Sequence, residues 1–322
     1  MYLYTFIVLP LYFLSIIFSL SSMSWMLIWI GMEMNLLTFV LIIMKSPNNM
    51  MKSESTMKYF LIQSIGSMIF LLTIHSNMIY YNENSLKEVW LPSMALMLKS
   101  GMAPLHSWTP DIINKFSLFS LFLFISLQKI VPLMIMFSSW FPLLIPLSMI
   151  NVIVGNLGSI SQSSITKMII FSSINTTGWM IMSFMESYYL FLVYFIQYTL
   201  ISYFMYKFLV KTQIKWLIQV KSNVNSIKWF YFTIIMSMSG FPPFVGFIPK
   251  WLLIKKVFYL NSMPMFLMIM LSILTLFFYL KSSLSIITNS SFMKKWKSKK
   301  TMKISLLTMI NIFGPLMFFM FN

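Results

Sequence analysis

The sequence predicts an all-α polytopic membrane protein: about eleven transmembrane helices, arranged as two inverted five-helix repeats followed by a C-terminal helix. Three observations predict this. Hydrophobic residues make up 59% of the 322 residues and charged ones 9%, outside the range of an ordinary soluble domain. Apolar stretches of about 20 residues, enough at 1.5 Å per residue to cross a ~30 Å hydrocarbon core, recur from end to end. Finally, two of these stretches are interrupted by Gly and Pro at corresponding places. No interval is long enough for a separate soluble domain, so 1–322 reads as one membrane domain.

The spans are read at 2–21, 23–44, 57–80, 89–110, 116–138, 142–160, 164–185, 188–210, 228–259, 264–288 and 303–321. In lipid the backbone groups of such runs must bond internally, which selects helices; the alternation of a barrel strand is missing. Lysines concentrate in the loops after even-numbered spans, including the cluster Lys294, Lys295, Lys297, Lys299, Lys300 and Lys303. Loops after odd-numbered spans carry Lys87 beside Glu83, Glu88 and Glu186. By the positive-inside rule the Lys-rich loops and the N-terminus face the compartment of synthesis, and the C-terminus faces the other side. Met1 leads straight into a span, so insertion without a cleaved presequence is expected.

The fourth span contains Lys-Ser-Gly-Met-Ala-Pro at 99–104, and the ninth contains Ser-Gly-Phe-Pro-Pro-Phe-Val-Gly-Phe-Ile-Pro-Lys at 239–250. Gly and Pro break helical hydrogen bonding there. Dividing the chain into repeat one (about 1–138), repeat two (about 142–288) and a last span (about 303–321) puts each break in the fourth helix of its repeat. Five is odd, so the second repeat enters the membrane inverted. Broken helices at matching places of inverted repeats point to a transporter's ion path; a pair of simple proline kinks is the alternative.

Charges inside the apolar part carry the functional reading. Glu33 stands at the centre of the run from Met23 to Met44 and is one of only six acids. Lys99, Lys129 and Lys250 occupy similarly apolar surroundings, and intramembrane ionisable residues mark ion or proton pathways. At 1.5 Å per residue, Glu33 and Lys99 lie ~15 Å into their spans and Lys129 ~20 Å from the Lys-rich side. The four groups are expected to form a row near the midplane, with Glu33 beside a lysine. Burial penalises an ammonium and a nearby carboxylate favours it, so changing the Glu33–lysine distance changes proton affinity in a coupled set. The alternatives are a static ion pair and, for Lys129, snorkelling. His106, two residues past Pro104, suits a proton relay or a satisfied structural histidine. His75 reads as structural, and Asn35, Gln63, Gln128, Asn151, Asn156, Asn175 and Gln197 as water-holding or helix-tying groups.

Composition excludes other chemistry. Without cysteine there is no thiol catalysis, disulfide or iron–sulfur ligation on this chain. All 23 basic residues are Lys, Ala stands only at Ala95 and Ala103, and Met occurs 33 times. This is the mark of A/T-rich codons in an organelle genome. The net charge of +17 sits in short loops, which membrane topology explains better than nucleic acid.

Several stretches resemble a known family: Trp-Ile-Gly-Met-Glu-Met-Asn-Leu-Leu at 29–37, Lys-Tyr-Phe-Leu-Ile-Gln at 58–63, Leu-Lys-Ser-Gly-Met-Ala-Pro-Leu-His-Ser-Trp-Thr-Pro-Asp at 98–111, Gln-Lys-Ile-Val-Pro-Leu at 128–133, Phe-Ser-Ser-Ile at 171–174 with Gly178-Trp179, and 239–251. Together they resemble the antiporter-like membrane subunits of mitochondrial NADH:ubiquinone oxidoreductase, respiratory complex I, in the eleven-span animal form. The resemblance implies a proton half-channel in each repeat joined by a hydrophilic axis, with protons moving from matrix to intermembrane space across the mitochondrial inner membrane. Glu33 would be the acidic partner, Lys99 the lysine of the first broken helix, Lys129 the connecting lysine, Lys250 the exit-side lysine and His106 part of the loading region. NAD, FMN, iron–sulfur clusters and ubiquinone would belong to other subunits, so this chain would hold no cofactor and no metal. Its partners would be other membrane-arm subunits and lipids, not nucleic acid. Where relatives carry a basic residue and a histidine, this chain has Ile165-Thr166-Lys167 and Asn175-Thr176, which weakens proton uptake there. A stand-alone cation/proton antiporter and a purely structural subunit are the competing functions.

Overall fold

The computed structural model describes residues 2–44, 50–76, 86–139, 143–221, 225–257 and 262–288. The expected span at 303–321 lies outside the described residues, as does the lysine cluster before it. The described chain is helical, and one isolated antiparallel bridge joins Ser164 and Trp216. The helices fall into two compact units, Met1–Leu143 and Leu144–Asn322.

The first unit holds α1 (Tyr2–Ser21), α2 (Trp25–Met44), α3 (Met50–His75), α4 (Leu86–Ser100), α5 (Trp108–Ile113), α6 (Leu118–Ile125) and α7 (Ile130–Ser139). Helix α2 packs between α1 and α3, α4 against α3 and α7, and α7 against α1. The second unit holds α8 (Leu144–Ile160), α9 (Ile165–Glu186), α10 (Tyr188–Thr212), α11 (Leu217–Lys221), α12 (Asn225–Ser239), α13 (Phe247–Val257) and α14 (Ser262–Thr288). Here α9 is central, buried almost throughout against α8, α10 and α13. Six described stretches are long and apolar enough to cross a membrane, counting α6 and α7 as one; Phe6–Ser21 and Leu144–Ile160 are apolar but shorter.

Each expected break occurs, and both are built alike. Helix α4 stops at Gly101 (φ 68°), whose N–H and that of Met102 both donate to the Met97 carbonyl. Helix α12 stops at Gly240 (φ 76°), with the Phe241 N–H donating to the Met236 carbonyl. A left-handed residue followed by a 6→1 bond is the Schellman way of closing a helix, and glycine adopts it without a Cβ penalty.

Three expectations need correction. The third span begins at Met50, seven residues early by the expected bounds of 57–80, because Lys58 and Glu54 pair one turn apart and extend the helix past the apolar run. The short α11 was not foreseen. The fifth span, read as continuous over 116–138, is interrupted by a 3-10 turn at Leu127–Lys129 after Ser126. Pro132 favours the interruption: its ring crowds the carbonyl of Gln128 four residues back and it lacks the N–H that carbonyl would accept from, although α1 tolerates Pro10 within a continuous helix. The same device starts other helices. Pro110, Pro132, Pro146, Pro249 and Pro264 each occupy the third residue of α5, α7, α8, α13 and α14. The first N–H groups of a helix have no intrahelical acceptor, so proline there forfeits nothing.

Inside the first unit an aromatic cluster fixes the break. Phe39, Tyr59, Trp108, Phe116 and Phe124 meet with ring centroids 5.4–6.5 Å apart, joining α2, α3, α5 and α6. Thr109 sits so close that a Cβ on Gly101 would fall 2.3 Å from its Cγ2.

Candidate functional site: buried lysines at broken helices

In the first unit Lys99 lies in the last turn of α4, where the negative end of the helix favours a cation. Its Nζ stands 3.9 Å from Glu33 Oε1 on α2. The pair is an ion pair without a hydrogen bond: both atoms are buried and, among the described residues, neither closes one. The Lys99 side chain is 5% exposed and that of Glu33 27%, so the two charges are unequally shielded. Gln63 on α3 donates from Nε2 to the Lys99 carbonyl at 3.1 Å, satisfying an acceptor that the break leaves without an intrahelical donor. Gly66, one turn further along α3, leaves room for the lysine stem: a Cβ there would lie 3.3 Å from Lys99 Cγ.

A small polar cavity adjoins this pair, lined by Asn35, Tyr59, Gln63, Lys99, Gln128 and Pro132 among others. About 20 Å³ of it admits the centre of a water molecule, and roughly 10–15 Å³ holds one. Asn35 Nδ2 donates to Gln128 Oε1 at 2.9 Å, leaving Asn35 Oδ1 and Gln128 Nε2 buried with no partner among the described residues. Lys129 follows Gln128 on the 3-10 turn and is 3% exposed. The turn therefore carries both an amide and a buried lysine at the interruption of the fifth span. His106 lies within the first break, half-buried, with Nδ1 3.1 Å from the Pro104 carbonyl oxygen. His75 is exposed at the end of α3.

In the second unit Lys250 is the fourth residue of α13 and is buried. Its Nζ reaches back across the break and donates to the carbonyl of Ser239, the last residue of α12, at 2.8 Å. It also stands 5.2 Å from the centroid of the Trp179 ring on α9. Thr176, Tyr194, Gln197, Tyr198 and Ser237 line a cavity at the same lysine, again with about 20 Å³ open to water. In both units a buried lysine lies at the glycine-capped end of a helix, and in both an end carbonyl accepts from a side chain.

The sequence marked Lys99, Lys129 and Lys250 correctly as buried, and the structure brings Glu33 to Lys99. It named Trp179 only within a resembling stretch and did not place it beside Lys250, since a pairing between residues so far apart in the chain leaves no local mark. Nor did it single out Lys228, which is 4% exposed in the first turn of α12.

Broken membrane helices that carry buried lysines define a class, the antiporter-like membrane subunits. A family described as NADH:quinone oxidoreductase/Mrp antiporter, TM, matches residues 22–278, and the chain belongs to that family. Within it, the chain is 35% identical over 315 residues to NADH-ubiquinone oxidoreductase chain 2 of Anopheles gambiae, covering 93% of this chain and 92% of that one. The fold is shared with a chain of respiratory complex I from Thermus thermophilus (TM-score 0.79, 17% identity, 97% of this chain and 79% of that chain). It is shared also with a chain of the membrane-bound sulfane sulfur reductase, an archaeal respiratory membrane complex (TM-score 0.81, 16% identity, 98% and 73%).

Proposed function

We propose that the chain is a membrane-arm subunit of proton-pumping NADH:ubiquinone oxidoreductase in the mitochondrial inner membrane. It moves protons from matrix to intermembrane space through buried Glu and Lys side chains. NADH oxidation and quinone reduction occur on other subunits, which hold NAD, FMN, iron–sulfur clusters and ubiquinone; this chain contributes the proton path and binds its neighbours and lipid. Its N-terminus faces the matrix.

The gap between Glu33 and Lys99 is the observation that supports this most directly. A clamp serving only to hold helices would close its hydrogen bond, because an imperfect buried pair does not repay its desolvation. At this separation the Coulomb attraction is about 1 kcal/mol if water fills the gap and about 4 kcal/mol at an effective dielectric of ~20. Admitting or expelling water therefore changes how strongly the carboxylate attracts the ammonium, against a desolvation cost that acts in the opposite sense. The carboxylate supplies the lever, the lysine holds the proton, and the adjoining cavity gives water a place to receive it. In the second unit Lys250 passes its proton to water beside Gln197 and the tyrosine hydroxyls.

Lys99→Met in the assembled complex tests this reading. Reconstituted in sealed vesicles, it is expected to translocate fewer protons per electron than wild type. An unchanged ratio would reject the pumping role of Lys99. A stand-alone antiporter, by contrast, would not comigrate with a megadalton NADH-oxidising assembly on a blue-native gel.

A further inference from the structure

Lys250 has no carboxylate within ion-pair distance among the described residues, unlike Lys99. What surrounds its ammonium instead is the Ser239 carbonyl, at the negative end of α12, and the face of the Trp179 indole. We infer that Trp179 is the positioning residue of the Lys250 ammonium, its π face taking in the second unit the place that Glu33 takes in the first. The inference rests on the proton-path reading above and extends it by one residue.

Three features of the packing support the assignment. The indole is fully buried, and its Nε1–H has no acceptor among the described residues. The indole donor thus contributes nothing here, and what Trp179 offers that Leu or Met would not is the π face that the Lys250 ammonium stands over. The neighbouring glycine fixes where the ring goes. A Cβ on Gly178 would fall 2.6 Å from both the Ser148 carbonyl oxygen and Val152 Cγ2, so α9 seats against α8 only in the rotation that a bare backbone permits. Gly240 clears the lysine's route in the same way: a Cβ there would lie 2.9 Å from Lys250 Cδ and 3.1 Å from Nζ. One glycine within α9 and one at the break after α12 therefore leave space for one lysine and one aromatic face to meet.

A neutral partner suits a relay. A carboxylate neighbour can take up the proton itself; an indole face and a carbonyl oxygen hold an ammonium without becoming acids. Released protons are left to the water-sized cavity bounded by Thr176, Gln197 and Tyr198.

The test uses the assembled complex in sealed vesicles and compares protons translocated per electron in Lys250→Met, Trp179→Leu, Trp179→Met and Trp179→Phe. Trp179→Leu and Trp179→Met are expected to lower the ratio by the same fraction as Lys250→Met, and Trp179→Phe, which keeps a π face, to restore most of it. Equal impairment in Phe, Leu and Met would mark Trp179 as a packing residue and overturn the inference, as would loss of assembly in both apolar variants. A normal ratio in Lys250→Met would instead defeat the underlying proton reading of this lysine. A lowered ratio in Lys250→Met beside normal ratios in the apolar Trp179 variants would defeat the inference alone.

Discussion

Asn35 donates to Gln128 at 2.9 Å, tying α2 two residues beyond Glu33 to the 3-10 turn that carries Lys129. The bond spans 93 residues of sequence and is buried. It fixes the residue next to Lys129 relative to the helix that carries the carboxylate.

Removing one amide of that pair leaves the other buried and unpaired. Asn35→Leu is expected to destabilise the assembled complex by about 1–3 kcal/mol. Asn35→Leu combined with Gln128→Leu should cost less than the sum of the two single changes, since the orphaned partner is gone too. Thermal inactivation of the single and double variants, read as a cycle, checks this. Additive losses would show that the bond contributes nothing.

Glu33→Gln and Lys99→Met separate anchoring from transport. Each single change leaves one member of the pair without its opposite charge, Lys99 being the more deeply buried. The double variant removes both charges and is expected to regain thermal stability relative to Glu33→Gln, while its proton-to-electron ratio stays as low as that of Lys99→Met. Recovery of the ratio together with stability would mean the pair serves packing only.

Gly240 and Gly66 both face lysines but should respond differently to alanine. Gly240 has φ 76°, and a Cβ would strike the Lys250 chain, pushing its ammonium off the Ser239 carbonyl. Gly240→Ala is expected to cost about 1–2 kcal/mol for the left-handed backbone alone and to lower proton translocation. Gly66 is helical, and its Cβ would meet Lys99 Cγ at 3.3 Å, a contact that a small shift relieves. Gly66→Ala should therefore be close to neutral, offset by up to about 1 kcal/mol of helix preference. The midpoint of heat inactivation distinguishes them.

Much of the architecture was legible in residues 1–288. Apolar run length, lysine-bearing loops and the Gly–Pro clusters at 101–104 and 240–243 are local properties, and they placed the described helices within a few residues except where side-chain pairing extended α3 or Pro132 divided the fifth span. The burial of Lys99, Lys129 and Lys250 was legible for the same reason: a charge inside an apolar run has few places to go.

Which helix faces meet was not legible. In a soluble protein an apolar stripe shows which side of a helix turns inward, but here the outward side of α2 is as apolar as its buried side, and α9 is buried on all sides, so neither sequence shows which face meets which neighbour. The sequence by itself determined that the described segments are apolar helices, that breaks fall at Gly101 and Gly240, and that Lys99, Lys129 and Lys250 are buried. Only the tertiary structure decided that Glu33 faces Lys99, that Asn35 holds Gln128 and that Lys250 lies over Trp179. Those partners come from remote segments, and glycine-permitted close approach between helices such as α8 and α9 sets the rotations that bring them together.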